Sequence, residues 1–281
     1  MDSSTQLRLL LIVAHPDDAE ARCGGLMTIY RKAGHLVKWI SMTNGNGGHH
    51  QKSGPELAKR RLEESKNATA IIGAECEIWD TDDGCLEPNL ALRWKVIKAI
   101  REFKPDLVLT HRTCDYHPDH RAVAQLVQDA SFSATVPALV PEVAALKKDP
   151  VVAYMADLFT RPNALRADIA LRVDPFAETI GDMFSCHVSQ AFEWLPYNLG
   201  ITEPVPDDES GRKEWMRKNF LPLLYGKVAE RFEADLISTY GEETAAETAM
   251  AEVYEISEYA RPLDDELRKR LFGFAIRNTT P

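Results

Sequence analysis

The sequence predicts an α/β fold: a Rossmann-like, mostly parallel sheet with helices on both faces, in a single domain with a C-terminal elaboration. Three observations predict it. Strand-like apolar runs alternate with helical stretches, the order that βαβ units produce. The first run, "LRLLLIVA", is apolar throughout rather than alternating, as a strand buried on both faces should be. The chain of 281 residues, 44% hydrophobic, can bury one substantial core.

Taken in order, Leu7 to Ala14 reads as the first strand, followed by a turn at Gly24-Gly25 into a helical run that ends near Gly34. The second strand, Leu36 to Thr43, breaks on "NGNGGHH", a loop that no regular element would tolerate. Pro55 opens a long polar helix that Gly73 terminates, the proline-first, glycine-last asymmetry helices prefer. A short strand at Glu77 to Trp79, the acidic turn "DTDDG", a helix from about Leu90 to Phe103 and a strand at Asp106 to Thr110 follow. A further helix starts near Pro118, its apolar residues Ala122, Val123, Leu126, Val127 and Ala130 recurring at helical spacing. Residues 1–135 thus form the Rossmann-like core. Residues 136–281 complete the sheet, with strands at about Val151 to Ala156 and Ala167 to Val173 and a mobile acidic excursion at 203–213.

Composition excludes several classes of function. Lys and Arg number 33 against 43 Asp and Glu, a net charge of −10, which offers no attraction to nucleic acid or anionic lipid. No apolar run is long enough to span a bilayer or to serve as a secretory h-region, so the expected location is cytoplasmic. The five cysteines are scattered without a CxxC pair, as reduced thiols would be. The expected partner is a small molecule, with homo-oligomerisation left open.

In open parallel sheets ligands sit beyond the carboxyl ends of the strands, where the strand order reverses. "HPDD" at 15–18 and "HPDH" at 117–120 both follow predicted strands. His15, Asp18 and His120 would supply two imidazoles and one carboxylate, leaving positions open for water and substrate as catalytic zinc sites do. Asp17, adjacent but aimed elsewhere, is the candidate general base. His117 is the candidate acid or oxyanion stabiliser, with Asp119 orienting it. The same ligand set also suits a non-haem iron enzyme, and a non-catalytic sugar or nucleotide binder is the third alternative. His35 and His111 are assigned to structure, His49 and His50 to an exposed loop, and His187 to packing or helix capping.

Together, "AHPDDAE", "TNGNGGHH" and "DYHPDH" resemble the PIG-L/LmbE family of metal-dependent de-N-acetylases, over about residues 7 to 130. The resemblance implies one Zn2+ ion, or another divalent ion such as Fe2+, and hydrolysis of an acetamido group on an N-acetylglucosamine-type sugar or its conjugate. It matches His15, Asp18 and His120 to the metal ligands, Asp17 to the general base, and His117 with Asp119 to the histidine that assists the carbonyl or leaving amine. It implies that Arg61 and Asp83 hold sugar hydroxyls, their neighbours Arg60 and Asp82 being the alternatives. Asn46 stands where many relatives carry an acid.

Overall fold

The computed structural model describes residues 6–280. Seven strands form one sheet in the order β3-β2-β1-β4-β5-β7-β6. β1 (Arg8–Val13), β2 (Leu36–Thr43), β3 (Glu75–Thr81), β4 (Leu107–Thr110) and β5 (Val151–Met155) are mutually parallel. β6 (Ile169–Arg172) lies at the far edge, and β7 (Ala251–Ile256) runs antiparallel between β5 and β6. The order reverses at β1, which pairs with β2 on one side and β4 on the other, so the ends of β1 and β4 bound the crevice where such sheets bind ligands.

Helices α1 (Asp18–Lys32), α2 (Pro55–Ile72), α3 (Leu90–Phe103) and α4 (Pro118–Ser133) connect the parallel strands, and α5 (Ala177–Ser185) packs on α1 and α2. The side chains of β1 alternate between the two faces as the pleat requires. Leu9, Leu11 and Val13 join a cluster with Leu26, Met27 and Tyr30 of α1. Leu10 and Ile12 join Val96 and Ile97 of α3 and Val123 and Leu126 of α4. Both faces are covered, which is why the run is apolar throughout.

The alternating order and the parallel sheet agree with the expectation from sequence, with three differences. β3 is longer than the three residues expected. β7 has no counterpart in the sequence reading; together with β5 and β6 it carries the sheet across the division at residue 135. The acidic stretch 203–213, read as a mobile excursion, leads into a helix, Glu209–Asn219, whose first turn is capped by the Asp208 side chain accepting from the Gly211 N–H at 2.8 Å.

The glycine pair also acts differently from a turn before a helix. α1 already starts at Asp18 and breaks at Cys23, whose backbone (φ −138°, ψ 16°) is not helical. A helix that restarts inside a core must find acceptors for its first N–H groups. Buried Glu252 of β7 supplies them, accepting from Gly25 N at 2.6 Å and Leu26 N at 2.9 Å, while the Tyr225 hydroxyl accepts from Gly24 N and donates to the Glu20 carbonyl. A Cβ on Gly25 would lie 2.4 Å from Val173, so only glycine allows α1 to come this close to the end of β6.

Glu252 sets a pH dependence. Burial pushes its carboxyl up from the ordinary value of 4.5 to about 7, against the opposing hydrogen bonds from Tyr254, Leu26 and Gly25. Between those two values the folded protein holds a proton that the unfolded chain releases, so stability falls as pH rises through about 7. Denaturant midpoints should therefore drop between pH 5 and pH 8, by on the order of a few kcal/mol of unfolding free energy. Glu252→Gln should flatten that slope whatever its absolute stability, and an unchanged slope in the variant would refute the assignment.

Candidate metal centre

β1 stops on Ala14, and the following residues close a tight bend. The His15 carbonyl accepts from Asp17 N at 2.9 Å and Asp18 N at 3.3 Å, and Asp18 Oδ2 reaches back to accept from His15 N at 2.8 Å. The bend sends the two adjacent carboxylates in different directions. Asp18 turns toward the histidines that follow β4, and Asp17 turns toward α2.

The second half of the centre comes from the start of α4. His117 is the N-cap, its Nδ1 accepting from Asp119 N at 3.2 Å, with Pro118 in the first turn. His120, three residues on, lies on the same side of the helix and reaches the bend. Its Nε2 is 3.3 Å from His15 Nδ1 and 3.6 Å from Asp18 Oδ1, and His15 Nδ1 is 3.3 Å from Asp18 Oδ2. Donors about 2.1 Å from a tetrahedral ion sit about 3.4 Å from one another, so the three groups fit a zinc-like ion in both chemistry and spacing. His117 stands beside them, its ring centroid 4.5 Å from that of His15.

Two residues that the sequence reading did not place in the site support it. Asp115 Oδ1 is 3.0 Å from His120 Nδ1 and also accepts from His117 N at 2.8 Å. A proton held on His120 Nδ1 by that carboxylate leaves the Nε2 lone pair facing His15, the orienting contact that metal-binding histidines use. His111, assigned to structure, is buried in the site: it stacks on His120 with centroids 4.0 Å apart, and its Nε2 is 3.3 Å from Asp18 Oδ2. Burial, with His120 beside it, pushes His111 down to about 4, so this ring is neutral. Its position straight after β4, mirroring His15 after β1, was the available signal. Asp115 offered none, because it precedes α4 and shares no helical spacing with His120.

Burial disfavours charge on both His15 and Asp18, yet Asp119, Asp18 and Asp83 outweigh it at His15 and hold its pKa well above the usual value. His120 and His111 likewise hold Asp18 well below the carboxylate range.

On the far side of the bend, Asp17 Oδ1 accepts from Arg61 Nη2 at 3.0 Å. Arg61 is 2% exposed. It also donates to the Gly45 carbonyl at 3.2 Å and lies 3.6 Å from Asp83 Oδ2. This explains the glycines of "NGNGG", for a Cβ on Gly45 or Gly48 would fall 2.5 or 2.8 Å from the guanidinium. Asn46 binds the acidic turn, accepting from Asp83 N at 3.0 Å and donating to Asp82 Oδ1 at 2.6 Å. Asp83 points inward, with Oδ1 3.3 Å from His15 Nε2. Of the paired alternatives, Arg61 and Asp83 lie in the site; Arg60 turns to Glu193 and Glu64, and Asp82 to Asn46.

Asp119 differs from its expected contact. Its fully buried carboxylate accepts from Gly84 N at 2.7 Å and Leu86 N at 3.2 Å and lies 3.4 Å from His15 Nε2, so it faces His15 rather than the ring of His117. Capping geometry is the reason: the Asp119 main-chain N–H already occupies His117 Nδ1. His49, expected to be exposed, has a buried side chain 3.1 Å from Glu193, and its neighbour His50 stacks on Tyr197 with centroids 4.1 Å apart. His187 is buried, with Nε2 3.4 Å from Glu20 of α1, and His35 accepts from Leu7 N at 3.3 Å.

Residues 10–131 match the family described as PIG-L: GlcNAc-PI de-N-acetylase. The diacetylchitobiose deacetylase of Thermococcus kodakarensis is 32% identical over 136 residues, 46% of this chain and 51% of that protein. The 4-oxalmesaconate hydratase of Pseudomonas putida is 24% identical over 160 residues, 54% of this chain and 62% of that protein. The matches thus span roughly half to three fifths of these relatives' length. Among solved structures, the N,N'-diacetylchitobiose deacetylase from Pyrococcus horikoshii superposes with a TM-score of 0.65 at 19% identity, covering 90% of this chain and 84% of that one, which is a likeness of fold.

The ligand geometry predicts graded effects on metal retention. His120→Ala should lose the bound ion. Asp115→Asn should keep it, with affinity about 10- to 100-fold weaker because the tautomer is no longer fixed by a carboxylate. Competition against a chromophoric chelator measures both; equal affinity in the Asn variant would remove Asp115 from the centre.

Proposed function

We propose, from the premise that residues 10–131 form a PIG-L family domain, that this protein is a metal-dependent amide hydrolase. It removes the acetyl group from an N-acetylated amino sugar of the N-acetylglucosamine type, or from a conjugate of one, and uses zinc. The observation that carries the reading is the division of labour between adjacent carboxylates: Asp18 faces the imidazoles, and Asp17 stays clear of them on Arg61.

When bound by His15, Asp18 and His120, a divalent ion supplies Lewis acidity to a water and to the acetyl carbonyl. Asp17 takes the proton of the attacking water as the new C–O bond forms. The Arg61 guanidinium holds that carboxylate in place by a charge-assisted hydrogen bond. With His117 Nδ1 occupied by a backbone N–H, the neutral ring carries its proton on Nε2. That N–H donates to the oxyanion of the tetrahedral intermediate. As the C–N bond breaks, the proton collected by Asp17 passes to the departing amine. Asp83 accepts from a sugar hydroxyl, and Arg61 keeps Asp83 aligned with Asp17.

The similarity to a protein named as a hydratase carries a second reading, addition of water across an unsaturated carboxylate, in which Asp17 would again be the base. A screen separates the two. Protein stripped with chelator and reloaded with zinc or iron is incubated with N-acetyl sugars and their conjugates, reading free amine and acetate, and with unsaturated dicarboxylates, reading loss of ultraviolet absorbance. Amine release that depends on the reloaded metal is expected; absorbance loss without amine release would replace the hydrolase reading by the hydratase.

Asp17→Asn tests the mechanism. It should retain the ion, since no ligand is removed, and lose activity by ~10² to 10⁴ fold, the usual contribution of a positioned base. Asp18→Asn should lose the ion. If elemental analysis gives the reverse pattern, the two carboxylates have exchanged roles.

A further inference from the structure

We infer that the outer nitrogen of His15, together with Asp83 and Asp119, forms a second and weaker divalent-cation site that closes the substrate side of the centre when filled. The inference rests on the preceding reading for the assignment of His15 Nδ1 to a first ion and, for its effect on substrate, for that of Asp83 to a sugar hydroxyl.

Three observations carry it. His15 is 8% exposed, and its Nε2 is buried without a hydrogen-bond partner, although two carboxylates flank it. Asp83 Oδ1 is 3.3 Å and Asp119 Oδ2 3.4 Å from that nitrogen, close to the ~3.4 Å expected between donors on a tetrahedral zinc ion, and the three ligand atoms all lie within 4.8 Å of one another. One N–H could satisfy only one of two carboxylates, whereas one ion satisfies both.

Charge gives the third. Asp17, Asp18, Asp83, Asp115 and Asp119 surround the centre, and among the described residues Arg61 is the one guanidinium paired with any of them. With the histidines neutral, as ligation requires, five negative charges face one positive. A single divalent ion leaves the cluster two charges short of balance; a second, which displaces the Nε2 proton and makes His15 an imidazolate, brings it to within one. Low effective dielectric makes such an imbalance costly.

The site takes a borderline cation that accepts mixed nitrogen and oxygen donors, zinc before calcium or magnesium. Coordination uses Nε2, so the proton carried there leaves to solvent as the ion enters, and His15, which already meets the first ion through Nδ1, becomes an imidazolate between the two. Asp83 is also the carboxylate assigned to a sugar hydroxyl, so the second ion and the substrate compete, and excess zinc inhibits.

The test is stoichiometry. Chelator-stripped protein is dialysed to equilibrium against zinc from nanomolar to high micromolar, and bound metal is counted by elemental analysis. Two ions are expected, the second at least about 10-fold weaker than the first. Asp83→Asn should weaken the second by ~10-fold or more and shift the first by less than about 3-fold, retention of the first ion serving as the control for folding. Saturation of the unaltered protein at one ion, a second ion indifferent to Asp83→Asn, or loss of both ions in that variant overturns the inference. Binding of no ion at all would instead overturn the metal-dependent reading above.

Discussion

At the end of β1 the Ala14 carbonyl accepts from the Thr43 N–H at 3.0 Å, the Thr43 hydroxyl at 2.8 Å and the Ser41 hydroxyl at 3.0 Å, while the Ala14 N–H reaches His111 Nε2 at 3.1 Å. These bonds fix where β1 stops relative to β2 and to the residue following β4. The bend that follows inherits that precision, and so does every ligand atom in it. His15 and Asp18 are set by local bonds, but they meet His120 only because β1 and β4 are neighbours in register, Leu9 opposite Leu107 and Leu11 opposite Leu109. A one-residue slip would invert the side chains of β1 and carry the bend away from α4. The meeting of candidate metal ligands from two distant stretches therefore rests on the pairing of two central strands.

The centre is built at a cost in stability. Asp119 and Arg61 are withdrawn from water, and buried charge is tolerated only when paired. Arg61 shows how the chain meets that demand. Its guanidinium lies between two carboxylates and a carbonyl, and the loop covering it is glycine because nothing larger fits. An arginine so enclosed holds Asp17 and Asp83 in fixed relation to one another. Lysine, a point charge without a planar fork, could not serve both carboxylates in the same way.

The C-terminal half matters to the site through α1. Asp17 and Asp18 open that helix, and its broken middle is gripped by Glu252 and Tyr225, residues more than two hundred positions away. Glu20, one turn past the bend, faces buried His187 beneath α5. β7 thus works as an anchor for the middle of α1, and the second half of the chain does more than widen the core.

What could be read from sequence follows from how local each signal is. β1, β2, β4 and the four connecting helices announce themselves by runs, caps and periodicity within a dozen residues. The candidate metal ligands could be singled out because two histidine-acid clusters each follow a predicted parallel strand, where such sheets bind ligands. β7 escaped because "AEVYEI" carries Glu252, an acid whose acceptance into the core depends on donors from α1, and no local pattern records a partner so remote. His111 and the burial of His49 escaped for the same reason: each is defined by a contact remote in sequence, with Asp18 and Glu193. Asp115 escaped because its local contacts, to His117 N and His120, follow no helical spacing. Asp119 shows the limit most plainly. Its spacing from His117 suggested a side-chain pair, but that spacing also creates the helix cap, and the cap takes His117 Nδ1 for the main chain. The carboxylate is then left facing His15, an outcome decided by backbone hydrogen bonding at a helix start.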